Sequence, residues 1–116
     1  MDNPRKASLA MLCGYLYGLR KNDSSSIYDF AQRKYISFAL NNNDGHIIIH
    51  DFDCKCDITG CFSSYYDYCV SQYITLTKMC NNVYNVFDYM HCSYLMVTIN
   101  DNNINIFDYK NSQYYN

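Results

Sequence analysis

An α+β domain is the fold class this sequence predicts: an N-terminal helix, two β-hairpins joined into one antiparallel sheet, and a second helix between the hairpins. Three observations carry that expectation. Leucines recur at helical spacing near the N-terminus, two apolar β-rich runs each straddle an Asn-rich turn, and an apolar stripe between the hairpins keeps a helical period. The chain of 116 residues has the size of one domain.

Residues 4–20 are expected to form the first helix. Leu9, Leu12, Leu16 and Leu19 fall on one face, so the helix reads as amphipathic. Asn3 is suited to cap it, and Pro4 suits the first helical position, where a missing N–H costs nothing. Gly18 weakens the last turn, and Asn22 to Ser26 reads as a polar loop.

Residues 34–52 predict a hairpin. Tyr35, Ile36, Phe38 and Leu40 supply one strand, and Ile47, Ile48, Ile49 and Phe52 the other. The connection Asn41-Asn42-Asn43-Asp44-Gly45 is built from residues that tolerate positive φ. A second hairpin is expected over 93–109, turning at Asn100-Asp101-Asn102-Asn103, followed by a short polar tail at 110–116.

The segment 62–82 supports two readings. Phe62, Tyr66, Cys69, Tyr73, Leu76 and Cys80 keep a helical stripe, Ser64 and Asp67 have capping-box spacing, and Asn81-Asn82 suits a helix end. Against this, Tyr73 to Thr77 is rich in strand-favouring side chains. An internal similarity favours the strand reading. Tyr28-Asp29-Phe30, Tyr66-Asp67-Tyr68, Phe87-Asp88-Tyr89 and Phe107-Asp108-Tyr109 all read aromatic-Asp-aromatic. The alternative fold is therefore an all-β meander of three hairpins.

Composition narrows the function classes. Apolar residues make up 49%, enough for one core, while charged residues make up only 17%. The net charge is −2 and no basic stripe exists, so no nucleic-acid partner is expected. No apolar run approaches the roughly 18 residues of a membrane span, so no membrane partner is expected either. Arg5-Lys6 followed by Ala7 to Leu19 resembles a short signal segment, but Tyr15 and Tyr17 interrupt it and no small-x-small cleavage site follows. The seven cysteines are odd in number and point to free thiols in a reducing, cytoplasmic setting. Glutamate is absent and glutamine occurs three times, against 14 asparagines and 14 tyrosines. That contrast favours residues encoded by pyrimidine-ending codons and points to a skewed small genome, such as a viral one.

Candidate chemistry is sparse. His50, Cys54, Cys56 and Cys61 could supply four zinc ligands, with Asp51, Asp53 and Asp57 alongside, although C-x-C is not a standard zinc spacing. Cys61 near the start of the expected second helix, or His46, could serve a small thiol- or histidine-dependent enzyme. Cys13, Cys69, Cys80 and Cys92 read as core residues. The four glycines form no phosphate-cradling loop. The leading expectation is a non-enzymatic protein–protein interaction module, a viral accessory protein acting on a host factor or a homodimer. It would bind through a tyrosine-rich face or an uncovered last strand, with Tyr94, Ile104, Ile106, Phe107 and Tyr109 as contacts. A zinc-stabilised binding module is the second expectation.

Overall fold

Inward-facing side chains fall at every second position along most of the chain. Ile36, Phe38 and Leu40 are buried, as are Ile47, Ile49 and Asp51, then Tyr84, Val86 and Asp88. Period two is strand geometry. The computed structural model describes residues 1, 3–18, 23–29, 32–101, 103–110 and 113–115, and within them one helix precedes ten strands. The helix α1 is Asn3–Tyr17. The strands are β1 (Asp23–Asp29), β2 (Lys34–Asn43), β3 (His46–Asp51), β4 (Cys56–Cys61), β5 (Ser64–Asp67), β6 (Gln72–Cys80), β7 (Val83–Asp88), β8 (Ser93–Asn100), β9 (Asn103–Asp108) and β10 (Gln113–Tyr115). They form a single antiparallel sheet in which spatial order follows chain order.

The expected α+β fold is thereby overturned: the chain is mostly β, and no helix lies between the hairpins. Residues 62–82 form β5, β6 and the turns around them. Tyr65, Asp67, Ile74 and Leu76 point inward there, while Tyr66 and Tyr73 pair across the outer face. Aromatic side chains on both faces of consecutive strands imitate a helical stripe, which is why the period misleads. Ser64 and Asp67 are paired strand residues rather than a capping box. The expected hairpins 34–52 and 93–109 occupy β2–β3 and β8–β9. The three-hairpin alternative also falls short, because among the described residues nine successive antiparallel pairings join the ten strands. The polar stretch read as a loop lies in β1 from Asp23 onward, while Asn22 lies outside the described residues.

The helix is also not amphipathic. Every residue from Arg5 to Cys13 is buried, and α1 packs on β1, β3, β8 and β9, strands from both halves of the meander. A helix buried on all sides must be enclosed. Long twisted sheets curl, and this one curls around α1. Leu9, Met11 and Leu12 meet Phe38, Ile49, Leu95, Val97 and Ile106 in one core. Ala7, Ser8 and Ala10 keep the helix slim enough to fit. It ends at Gly18, whose φ of 103° lets its N–H bond the carbonyls of Gly14 and Tyr15, each at 3.1 Å. Leu19 and the remainder of the expected helix lie outside the described residues, as does the side chain of Asn3.

Candidate functional site

Each odd-numbered strand ends on an aspartate: Asp29, Asp51, Asp67, Asp88 and Asp108. Each of these pairs with the residue five positions on, namely Lys34, Cys56, Gln72, Ser93 and Gln113. A four-residue turn therefore recurs five times at one end of the sheet. The other end has two-residue turns, such as Asp44-Gly45 with φ of 53° and 89°, the left-handed pair a tight hairpin needs.

The aspartate itself closes the four-residue turn. Its Oδ1 accepts a backbone N–H two or three residues on: Gln32 at 3.1 Å, Asp53 at 2.8 Å, Cys69 at 3.0 Å, Met90 at 3.0 Å and Lys110 at 3.0 Å. This is the local side-chain bonding that makes Asp a turn former. The last turn residue is left-handed where described, with φ of 58° at Arg33, 58° at Lys55, 54° at Ser71 and 49° at Cys92.

All five aspartates face inward and are buried. Four of them, Asp51, Asp67, Asp88 and Asp108, converge on the N-terminal part of the chain around α1, where cations meet them. Arg5 donates to both oxygens of Asp67 at 2.9 Å and to Asp51 at 3.3 Å, and the Ser8 hydroxyl donates to Asp51 at 2.8 Å. Lys6 Nζ lies 3.0 Å from Asp108, and the Met1 ammonium lies 3.0 Å from Asp88. His91 Nδ1 meets Asp88 at 2.9 Å, and Asp29 is bonded by Gln32. The positive end of the helix macrodipole adds to the match. Burial opposes the charge on Arg5, but its bonds to Asp67 outweigh that and hold the guanidinium firmly protonated. This cluster is an anchor between helix and sheet, satisfied internally.

The alternation that turns each aspartate inward turns its two neighbours outward. Where both are described those neighbours carry rings, and three of the leading ones face an aromatic across the strands. Tyr28 meets Tyr35 at 5.0 Å, Tyr66 meets Tyr73 at 4.8 Å, and Phe87 meets Tyr94 at 4.9 Å between ring centroids. His50 stacks edge-on against Phe52 at 4.8 Å, Tyr66 against Tyr68 at 4.8 Å, Phe87 against Tyr89 at 4.7 Å, and Phe107 against Tyr109 at 4.9 Å. Edge-to-face rings at such separations attract. The result is a band of aromatic side chains on the outer surface beside the five turns. Tyr35, Phe52, Tyr68, Tyr73, Tyr89, Tyr94 and Tyr109 are between 45% and 73% exposed. Next to the band lies a shallow groove of about 250 Å³ lined by Thr75, Thr77, Asn85, Phe87, Tyr89 and Tyr94. A second, of about 240 Å³, is lined by Met96, Thr98, Asn100, Asn105 and Phe107. Both linings are free of formal charge.

Of the residues singled out by sequence, Tyr94, Phe107 and Tyr109 belong to this band. Ile104 and Ile106 do not: both are buried, Ile106 completely. The edge expected to be uncovered at Ile104–Tyr109 is covered over Ile106, Phe107 and Asp108, where β10 pairs outside β9. The short polar tail at 110–116 thus contains a strand.

The zinc set is not assembled. Cys56 and Cys61 stand at opposite ends of β4, roughly 17 Å apart at strand rise. His50 is taken by Asp57 at 2.6 Å, and Cys61 by His46 at 3.8 Å. Burial and then the Asp51 charge push the Cys54 thiol up to about 11, and burial and Cys69 push Cys56 up to about 12. Among the described residues, no three His, Cys, Asp or Glu side chains are placed to hold an ion.

Sequence reasoning missed the second repeat, His50-Asp51-Phe52, because histidine stands in for the leading aromatic. The signal was present in the Asp spacing and in Asp57, which takes the cross-strand position that Tyr35, Tyr73 and Tyr94 hold elsewhere. Comparison with known proteins adds no relative: the chain matches no family model, no curated protein and no solved structure. Among the described residues no helix is long and apolar enough to cross a membrane.

Proposed function

We propose that this protein is a non-enzymatic interaction module that binds another protein through the outer aromatic band. The observation that carries the reading is the set of exposed rings held edge-to-face by their neighbours beside the five turns. Tyrosine and phenylalanine side chains bury large areas on association, and prior ordering reduces the entropy lost. Interface hot spots are rich in such residues. Four of the carboxylates beneath are met by the Met1 ammonium, Arg5 and Lys6, so the band suits a partner face of apolar and hydrogen-bonding groups rather than a charged one. The residue bias extends the proposal to a small viral accessory protein acting on a host factor in a reducing compartment.

The test compares wild type with Tyr73→Ser/Tyr94→Ser, with Thr98→Ser as a control, in proximity labelling from cells that express the gene. Circular dichroism and thermal melts establish that each variant folds. A labelled protein that also binds purified wild type and control directly, and is lost with the band variant, supports the reading. A self-association in sedimentation that the band variant abolishes also supports it and makes the partner a second copy. Identical labelling and sedimentation by all three proteins overturn it.

A further inference from the structure

The seven thiols have different surroundings. Cys13 is fully buried in the core, and burial raises Cys54 and Cys56 well above an ordinary thiol. Cys92 is exposed and donates to the Tyr89 carbonyl at 3.6 Å, while Cys69 and Cys80 are exposed as well. Cys61 is exposed and meets an imidazole, with its Sγ 3.8 Å from Nδ1 of His46. The other two histidines are engaged by Asp57 and Asp88.

The backbone fixes this pairing. Ile47 stands opposite Gly60, so the next residues outward, His46 and Cys61, face each other at the end of β3 and β4. Gly60 is held close to β5: a Cβ there would come within 2.4 Å of the Ser64 carbonyl. The pair lies at the two-residue-turn end of the sheet, remote from the aspartates and the aromatic band, so it goes beyond the interaction surface.

We propose that Cys61 and His46 form a reactive-thiol site that takes low-molecular-weight disulfides and is modified as a mixed disulfide. His46 Nδ1 accepts the Cys61 proton, and the thiolate attacks one sulfur of the incoming disulfide. The S–S bond of the reagent breaks, a new Cys61 S–S bond forms, and the departing thiolate takes the proton from the imidazolium. One disulfide and one thiol are consumed, one mixed disulfide and one thiol are produced, and no further oxidant is needed. Thiolate formation beside a proton acceptor is what distinguishes reactive cysteines from inert ones.

The test treats reduced protein with limiting glutathione disulfide, and separately with limiting iodoacetamide, at neutral pH. Peptide mass spectrometry then reads the rate at each cysteine. Cys61 is expected to react about tenfold faster than Cys69, Cys80 or Cys92 with both reagents. His46→Asn, with an unchanged dichroism spectrum, should bring Cys61 down to their range and alter the pH dependence of its rate. Cys61 reacting no faster than the other exposed thiols in the wild type overturns the proposal whether or not the variant folds. An unchanged Cys61 rate in folded His46→Asn also overturns it.

Discussion

Arg5 grips Asp67 through two parallel hydrogen bonds of 2.9 Å, joining the first turn of the helix to the end of β5 across 62 residues of sequence. Both side chains are almost fully buried. Removing one member of such a pair leaves an uncompensated charge in the interior. Arg5→Leu should therefore cost about 3–5 kcal/mol, read as a lower midpoint in urea unfolding.

Acid should loosen the same end of the molecule. Burial opposes ionisation of Asp88, but the hydrogen bonds from His91 and the Met1 ammonium outweigh it. Burial likewise opposes Asp108, and the Lys6 bond and charge win. Both carboxyls are thus held below their unfolded value of about 4. A depressed folded pKa means the unfolded state binds more protons in that range. The stabilisation is complete above about pH 4 and is lost as pH falls through the folded values. Urea midpoints measured from pH 6 to pH 2 should drop below about pH 4, and Asp108→Asn should make that limb shallower.

Tyr65 is fully buried and its hydroxyl has no hydrogen-bond partner among the described residues. Burial accordingly pushes its ionisation up. Tyr65→Phe deletes an unsatisfied polar group and keeps the ring. It should stabilise the fold by about 1 kcal/mol, seen as a higher Tm; a lower Tm contradicts the assignment.

Gly60 tolerates no side chain. Its φ is 152°, and an added Cβ would meet the Ser64 carbonyl oxygen and the Tyr65 Cα at 2.4 and 2.9 Å, both backbone atoms. Gly60→Ala should cost about 1–3 kcal/mol by forcing the β4–β5 hairpin apart. Thermal melts check this, with Gly45→Ala as a comparison that meets strained φ but open space.

Ile106 and Tyr94 separate core from surface. Ile106→Lys puts a charge where the side chain is fully buried, so it should unfold the protein rather than remove a contact. Tyr94→Ser changes a half-exposed ring and should leave the melt within about 1 kcal/mol of wild type. Dichroism of the two variants distinguishes these outcomes.

The hairpins around Asp44-Gly45 and Asn100–Asn103 were legible in the residues, because turn chemistry and β-branched runs act over a few positions. The aromatic-Asp-aromatic recurrence was legible too, and it is the repeat that builds the molecule. Its meaning was hidden by composition. Tyr66 and Tyr73 make the outer face look as apolar as the inner one, so the residues around them imitate a helical stripe over 62–82 and period no longer separates helix from strand.

The sequence by itself determined that one small core exists, that its N-terminal segment is helical and that aspartates recur beside aromatics. Only the tertiary structure decided what those aspartates do. Arg5 and Lys6 look like the charged flank of an exposed helix, and they become buried anchors because the meander curls until the turns after Asp51, Asp67 and Asp108 meet at one end of α1. The same closure buries Ile104 and Ile106 in the core with α1 and turns Tyr94 outward. Each strand pairs with its neighbour in the chain, so which residues converge depends on how strands far apart in sequence pack on the same helix, and that is set by the global fit of the sheet around α1 rather than by local sequence.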